Sequence, residues 1–175
     1  RHYARLAIAL RPTSAAGLKL LYASLLQSPP RREEFVSAST NESPAISVIM
    51  PMRNAENFVD EAIRSILAQP GVSLEVIVVD DGSTDRSADV ARAIGDTRIT
   101  LIAGPRQGIS AALNAGIAVA RGRYFARCDA DDTFAPDRLA RQLAYLESHA
   151  DFDAICGTFT MVTASGRPIV DQVWS

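Results

Sequence analysis

The chain has 175 residues, 47% of them hydrophobic and 22% charged, which suits one soluble globular domain able to bury a core. Its formal charge of −2 gives no electrostatic reason to expect a nucleic-acid partner. No stretch reaches the roughly 18 uninterrupted apolar residues that a membrane span needs, residues 6–10 are too short a run for a signal peptide, and two histidines, His2 and His149, are too few for a histidine-based zinc site.

The chain opens on Arg1 rather than on methionine and stops soon after a strand-like run, so it reads as a piece of something longer. Within residues 1–27, Leu18, Leu21, Tyr22 and Leu25 make one apolar stripe at helical spacing. This predicts an N-terminal helical segment packed on its own domain or on a missing one; a membrane surface would ask for more cations than Lys19 on the polar face. Residues 28–45, rich in Pro, Ser, Glu and Asn, read as a linker, and the folded domain is expected over 46–175, cut short at its C-terminus.

From residue 46 the period alternates. Residues 46–50 form a short apolar run closed by Pro51, after which Val59, Ala62, Ile63, Ile66 and Leu67 recur at helical spacing until Pro70-Gly71. A second apolar strand over 74–79 leads into the turn Asp80-Asp81-Gly82-Ser83-Thr84-Asp85, where Ser83, Thr84 or Asp85 caps a helix marked by Ala88, Ala91 and Ile94. A third strand over 98–103 ends at Gly104-Pro105-Arg106-Gln107-Gly108 and is followed by a helix with Leu113, Ile117 and Ala120. A fourth strand over 123–128 delivers Cys128-Asp129-Ala130-Asp131-Asp132-Thr133; Pro136 then suits the first turn of a helix carrying Leu139, Leu143 and Leu146. A final strand is expected over 154–163. Cys128 and Cys156 both fall in apolar strand-like runs and read as small buried hydrophobes, not as a disulfide or metal pair, which fits a reducing compartment.

Four alternations of apolar strand and helix predict an α/β fold, a Rossmann-like, mostly parallel sheet with helices on both faces. Such sheets bind ligands outside the carboxyl ends of their strands. That rim collects Pro51-Met52-Arg53-Asn54, Asp80-Asp81, Arg106-Gln107-Gly108 and Asp129-Ala130-Asp131-Asp132. Three carboxylates in four residues repel one another unless a cation shares the site, and Mg2+ or Mn2+ completed by the phosphates of a nucleotide is a fitting partner. The plain alternative is an Asp-rich turn that caps the next helix. Asp80 or Asp81 is a candidate acceptor for the N–H of a base, or else only part of a tight turn; Gly108 leaves backbone amides near a phosphate. Arg53 and Arg106 can counter phosphate charge or stand solvated. Asn114 and His149 lie in helical stretches and read as ordinary surface or core bonding. The chain contains neither G-x-x-x-x-G-K-[ST] nor G-x-G-x-x-G, so P-loop and dinucleotide-binding readings lose their main support.

Ser47-Val48-Ile49-Met50-Pro51, Val78-Val79-Asp80-Asp81-Gly82-Ser83-Thr84-Asp85, Gly108-Ile109-Ser110-Ala111-Ala112-Leu113-Asn114-Ala115-Gly116, and Asp129-Ala130-Asp131-Asp132 with Pro136-Asp137-Arg138-Leu139 resemble, in order and spacing, the motifs of the inverting family 2 glycosyltransferases of the GT-A fold, over about residues 46–160. The resemblance implies metal-dependent transfer of a sugar from a nucleotide-sugar donor, usually a UDP-sugar, to a glycan, lipid-linked or other hydroxyl acceptor. It implies that Pro51 and Arg53 border the base, that Asp81 accepts from uracil N3, that Asp129 lies near the ribose, and that Asp131 holds Mn2+ or Mg2+ against the diphosphate. Such a metal neutralises the departing diphosphate. Arg53 stands where the family often carries an aromatic residue. The family's general base, an Asp or Glu, is expected beyond Ser175, so the chain is expected to bind donor and metal whether or not it turns over. The resemblance also implies polysaccharide or glycan assembly at the cytoplasmic face of the membrane, with any membrane association supplied by parts outside this chain.

Two other readings compete. A non-catalytic nucleotide-binding or interaction module would use the same rim without transfer. Asp129-Ala130-Asp131-Asp132-Thr133 also fits the D-x-D-x-T signature of haloacid-dehalogenase-like phosphatases, with Asp129 as nucleophile and Asp131 as acid/base, but that mechanism calls for a downstream lysine and the only lysine is Lys19.

Overall fold

The computed structural model describes residues 43–163 and the short strands Ala9–Leu10 and Pro168–Val170. Strand β1 (Ala9–Leu10) is followed by four mutually parallel strands, β2 (Ile46–Met52), β3 (Leu74–Asp80), β4 (Ile99–Ala103) and β5 (Tyr124–Arg127). Helices α1 (Val59–Leu67), α2 (Ser87–Ala93) and α3 (Ile109–Val119) connect the parallel strands, and α4 (Arg138–Ser148) follows β5. With β6 (Ala154–Ile155) the sheet runs β4-β3-β2-β5-β1-β6, β1 lying antiparallel between its neighbours. Strands β7 (Met161–Val162) and β8 (Pro168–Val170) form a separate antiparallel pair.

The two-residue period of the strands divides the core. Ile46, Val48, Met50 and Met52 of β2 share one layer with Val59, Ile63 and Ile66 of α1 and with Leu139 and Leu146 of α4. Ile49, Ile77 and Val79 share the other layer with Ala112 of α3. Covered on both faces, β2 and β3 must be apolar at every position that is not specifically paired. Each fully buried aliphatic side chain contributes about 1.5–3 kcal/mol relative to exposure.

Two glycines let the backbone approach the sheet. A Cβ on Gly116 would lie 2.5 Å from Ile49 Cγ2, so α3 sits this close only because that position has no side chain. A Cβ on Gly122, just before β5, would lie 2.4 Å from the Ser47 backbone nitrogen. The Gly122 N–H donates to Ser47 Oγ at 2.7 Å, and that hydroxyl donates to Oε1 of the buried Glu75 at 2.6 Å. Arg121 adds its backbone N–H at 2.7 Å and its guanidinium at 2.8–2.9 Å. Burial pushes the Glu75 carboxyl up, but the Ser47 hydroxyl and the Arg121 amide and guanidinium outweigh it, leaving the group below its ordinary value. This network lies at the amino ends of the strands, opposite the rim that the sequence points to.

Several boundaries differ from the sequence expectation. Pro51 does not close β2: it pairs with Val79, and the strand continues to Met52. The N–H that proline lacks faces β5, whose pairing with β2 already stops at Ile49 and Arg127, so no ladder bond is lost. The single strand expected over 154–163 is broken after Ile155, and residues 156–160, which include Gly157, carry no strand. Cys156 is therefore exposed, whereas Cys128 is buried as expected, and both thiols are free. Helix α4 starts at Arg138 because Asp137 takes a left-handed φ of 60°, which leaves Pro136 in the preceding turn. Ala9–Leu10 is extended within the segment expected to be helical; the stripe Leu18, Leu21, Tyr22 and Leu25 lies outside the described residues. Among the described residues no helix is long and apolar enough to cross a membrane.

Candidate functional site

Strand order reverses between β2 and β5, since β3 and β4 extend one way from β2 and β5 lies on the other side. The crevice outside the carboxyl ends at such a reversal is the place where this kind of sheet holds ligands. The loop after β2 is fastened to the loop after β3 by reciprocal hydrogen bonds. Asn54, at a left-handed φ of 52°, donates its N–H to Ser83 Oγ at 3.0 Å and accepts the Thr84 N–H on Oδ1 at 2.8 Å. Ala55 and Glu56 donate their N–H groups to Ser87 Oγ (2.7 Å) and Asp85 Oδ2 (3.1 Å), and Arg86 returns its N–H to Glu56 Oε2 at 3.0 Å. The Asp85 carboxylate also accepts the Ser87 N–H at 3.0 Å, but the N-cap of α2 is Arg86, whose side chain makes no capping hydrogen bond, so none of the three capping candidates takes that position.

Asp80 and Asp81 diverge because successive residues of a strand point to opposite sides. Asp80 turns into its own loop, where Oδ1 accepts the Ser83 N–H at 2.8 Å. Asp81 is buried and accepts the Arg106 N–H on Oδ1 at 2.6 Å and the Gly108 N–H on Oδ2 at 2.8 Å. It thereby holds the loop after β4 and the start of α3. That loop bends at two left-handed residues, Arg106 (φ 60°) and Gly108 (φ 90°, ψ 178°), the latter a conformation open essentially to glycine alone.

The acidic segment after β5 is built on Cys128, whose buried thiol lies 3.6 Å from the backbone oxygens of Asp129 and Asp132. Burial holds this thiol well above its ordinary value and Asp132 pushes the same way, so it is an inert packing group and not a nucleophile. Asp129 is 2% exposed and accepts from the Arg127 guanidinium at 3.0 and 3.2 Å. Asp131 is exposed on the cleft side. Arg138 stacks over the Phe134 ring at 4.2 Å, and burial lowers its pKa, partly offset by the neighbouring Cys128 and Asp132.

Together these loops enclose an open cleft of about 340 Å3. Of the residues singled out from sequence, Pro51, Arg53, Asp81, Gly108 and Asp131 line it. Asp80, Asp129 and Arg106 do not: Asp80 is bonded in its own turn, Asp129 pairs with Arg127, and the Arg106 stem packs over Gly82. Asn54 of the expected rim and Ile109 and Ala112 of the third motif line it too, and it has two members that sequence reasoning missed, Ala55 and Phe58. Phe58 (43% exposed) and Ile109 (40% exposed) are large apolar side chains left open at the cleft, each one residue outside or at the edge of the helical stripe that marks buried positions.

Among the described residues, no group of three or more His, Cys, Asp or Glu side chains forms a metal cage. Among the described residues that line the cleft, Asp131 offers an exposed carboxylate, whereas Asp129 is engaged by Arg127. A site of this kind suits Mg2+ or Mn2+, which take one or two carboxylates and complete their shell with phosphate oxygens and water, and it does not suit zinc.

Residues 47–172 match Glycosyl transferase family 2. The chain belongs to that family. One family relative, the succinoglycan biosynthesis protein ExoO of Rhizobium meliloti (strain 1021), is 46% identical over 127 residues, which are 72% of this chain and 36% of ExoO. The chain thus spans about a third of that relative's length. Staphylococcus aureus TarS 1–349 in complex with UDP-GlcNAc superposes with a TM-score of 0.57 at 25% identity, covering 60% of this chain and 32% of the TarS chain. The mannosyltransferase PcManGT from Pyrobaculum calidifontis, in complex with GDP-Man and Mn2+, superposes with a TM-score of 0.55 at 30% identity over 75% of this chain and 40% of its own. Membership of family 2 and the GT-A-type parallel sheet displace the phosphatase reading. The geometry agrees, since Asp129, its required nucleophile, is buried against Arg127.

Proposed function

We propose that the cleft binds the nucleoside diphosphate of a nucleotide-sugar donor, a UDP-sugar, and that the chain is the donor-binding part of a metal-dependent glycosyltransferase acting on a hydroxyl of a glycan or lipid-linked acceptor. The observation that carries this reading is the convergence of Asp81, Gly108 and Asp131, from the loops after β3, β4 and β5, on one cleft. The base lies against Pro51 and Arg53, where Asp81 has acceptor sites beyond the two that the Arg106 and Gly108 amides occupy. The diphosphate faces the start of α3, where Gly108 and Ile109 border the cleft and the helix N-terminus favours negative charge. Asp131 holds Mn2+ or Mg2+, and Asp129, backed by Arg127, sits behind it towards the ribose side. When bound, the metal neutralises the charge that develops on the departing diphosphate. Among the described residues that line the cleft the carboxylates are Asp81, tied to two amides, and Asp131, assigned to the metal, so this reading gives neither of them the role of general base.

The name of ExoO supports polysaccharide assembly as the setting, and the TarS complex supports a UDP-sugar. The GDP-Man complex of PcManGT makes GDP the competitor to test. Thermal unfolding of the chain with UDP, GDP, ADP or CDP, each with Mn2+ or EDTA, is the experiment. UDP at ~100 times its Kd is expected to add about 2.7 kcal/mol in Mn2+, and this gain disappears in Asp131→Ala. No response to any nucleotide would overturn the reading, and a larger response to GDP than to UDP would reassign the base.

A further inference from the structure

The segment built around α1 touches the cleft at one end and the acidic segment at the other. Ala55 and Phe58, which lead into the helix, line the cleft. Ser65 in its last turns and Gln69, two residues past its end, are polar groups that reach the chain just beyond Asp131. Ser65 Oγ accepts the Phe134 N–H at 2.9 Å while donating to the Ala62 carbonyl at 2.7 Å. Gln69, only 6% exposed, donates from Nε2 to the Ala135 carbonyl at 2.9 Å and accepts the Leu139 N–H on Oε1 at 3.1 Å. The stretch from Phe134 to Leu139 is therefore held at three points by α1 and the turn that ends it, more than 60 residues away in sequence, the separations being 69, 66 and 70 residues.

Neither Ser65 nor Gln69 lines the cleft. A buried carboxamide satisfied on both its oxygen and its nitrogen is rigid, because moving either partner leaves a polar group unpaired. We propose that Gln69, with Ser65, is a positioning residue for the Asp131 carboxylate. The pair sets how far Asp131 stands from the Asp81 and Gly108 side of the cleft, and so governs the metal-dependent part of donor binding. This rests on the metal-dependent nucleotide reading above. Groups that orient a metal ligand without touching the metal typically alter affinity about 10–100-fold when removed.

Calorimetric titration of UDP into wild type, Gln69→Leu and Ser65→Ala, each in Mn2+ and in EDTA, tests it. Gln69→Leu is expected to weaken UDP binding about tenfold in Mn2+ and to leave the EDTA affinity within about twofold. Ser65→Ala, which removes one bond, keeps the question answerable if Gln69→Leu does not fold, and should move the Mn2+ value in the same direction by less. A purely structural role would change both conditions alike, or only the unfolding midpoint; either result overturns the inference. Retention of the full Mn2+ gain in both folded variants also overturns it while leaving the donor reading intact. Absence of any Mn2+ gain in wild type overturns the donor reading and this inference together.

Discussion

The Gly108 N–H donates to Asp81 Oδ2 at 2.8 Å across 27 residues of sequence, joining the loop after β3 to the start of α3. The other oxygen of the same carboxylate takes the Arg106 N–H at 2.6 Å. One buried side chain therefore sets the position of the helix end that faces the proposed diphosphate. Gly104 shows how tightly this is packed: a Cβ there would come within 3.0 Å of Asp81 Oδ1.

Asp81→Asn tests that arrangement. An asparagine keeps one acceptor and turns an NH2 group towards an N–H donor, so one of the two amides loses its partner. Stability should fall by about 1.5–3 kcal/mol, the range for bonds to a charged group, and UDP affinity should fall with it. Urea unfolding and UDP titration of the same variant measure both. If neither changes, the carboxylate does not organise this loop.

Asn54 separates a backbone effect from a side-chain effect. Asn54→Gly keeps the left-handed freedom that φ 52° requires but removes the acceptor for Thr84, whereas Asn54→Ala removes both. The alanine variant should be less stable than the glycine variant by about 1 kcal/mol. Denaturant midpoints of the two decide it. Equal stability would mean that the clasp alone, and not the bend, depends on asparagine.

Glu75 predicts a pH dependence. Its carboxyl is held below the ordinary value of 4.5 in the folded chain, so the native state favours the carboxylate. The associated stability is complete above that ordinary value and is lost as the pH falls through the lower, folded value. The Arg121 side chain is 62% exposed, so the ion pair is screened and the hydrogen bonds carry most of the effect. Glu75→Gln should cost about 1–2 kcal/mol at pH 7, and the gap to wild type should close as the pH drops below about 4.5. Urea midpoints between pH 7 and pH 3 would show a constant gap if the network were indifferent to charge.

The parts of the fold that could be read from sequence are those governed by period. β2 and β3 are uninterrupted because both their faces are covered, and Val59, Ala62, Ile63 and Ile66 mark the buried side of α1. The rim was legible for the same reason, since parallel strands must place their following loops together. Period alone does not tell which carboxylate faces the cleft; the motif resemblance pointed to Asp81 and Asp131. Asp80 and Asp81 are equivalent as text, and the pleat alone sends one into its turn and the other into the cleft wall. Asp129 and Asp131 likewise differ through Arg127, whose pairing depends on how the chain leaves β5. Gln69 did carry a signal that went unread: a polar residue three positions after Ile66 on an otherwise apolar face.

Gly122 has a genetic consequence. Every single-base change of a glycine codon that replaces the glycine by another amino acid introduces at least a Cβ. At this position that carbon would land 2.4 Å from a backbone nitrogen of β2 and 2.6 Å from Ser47 Oγ. The site is therefore a dead end for one-step substitution.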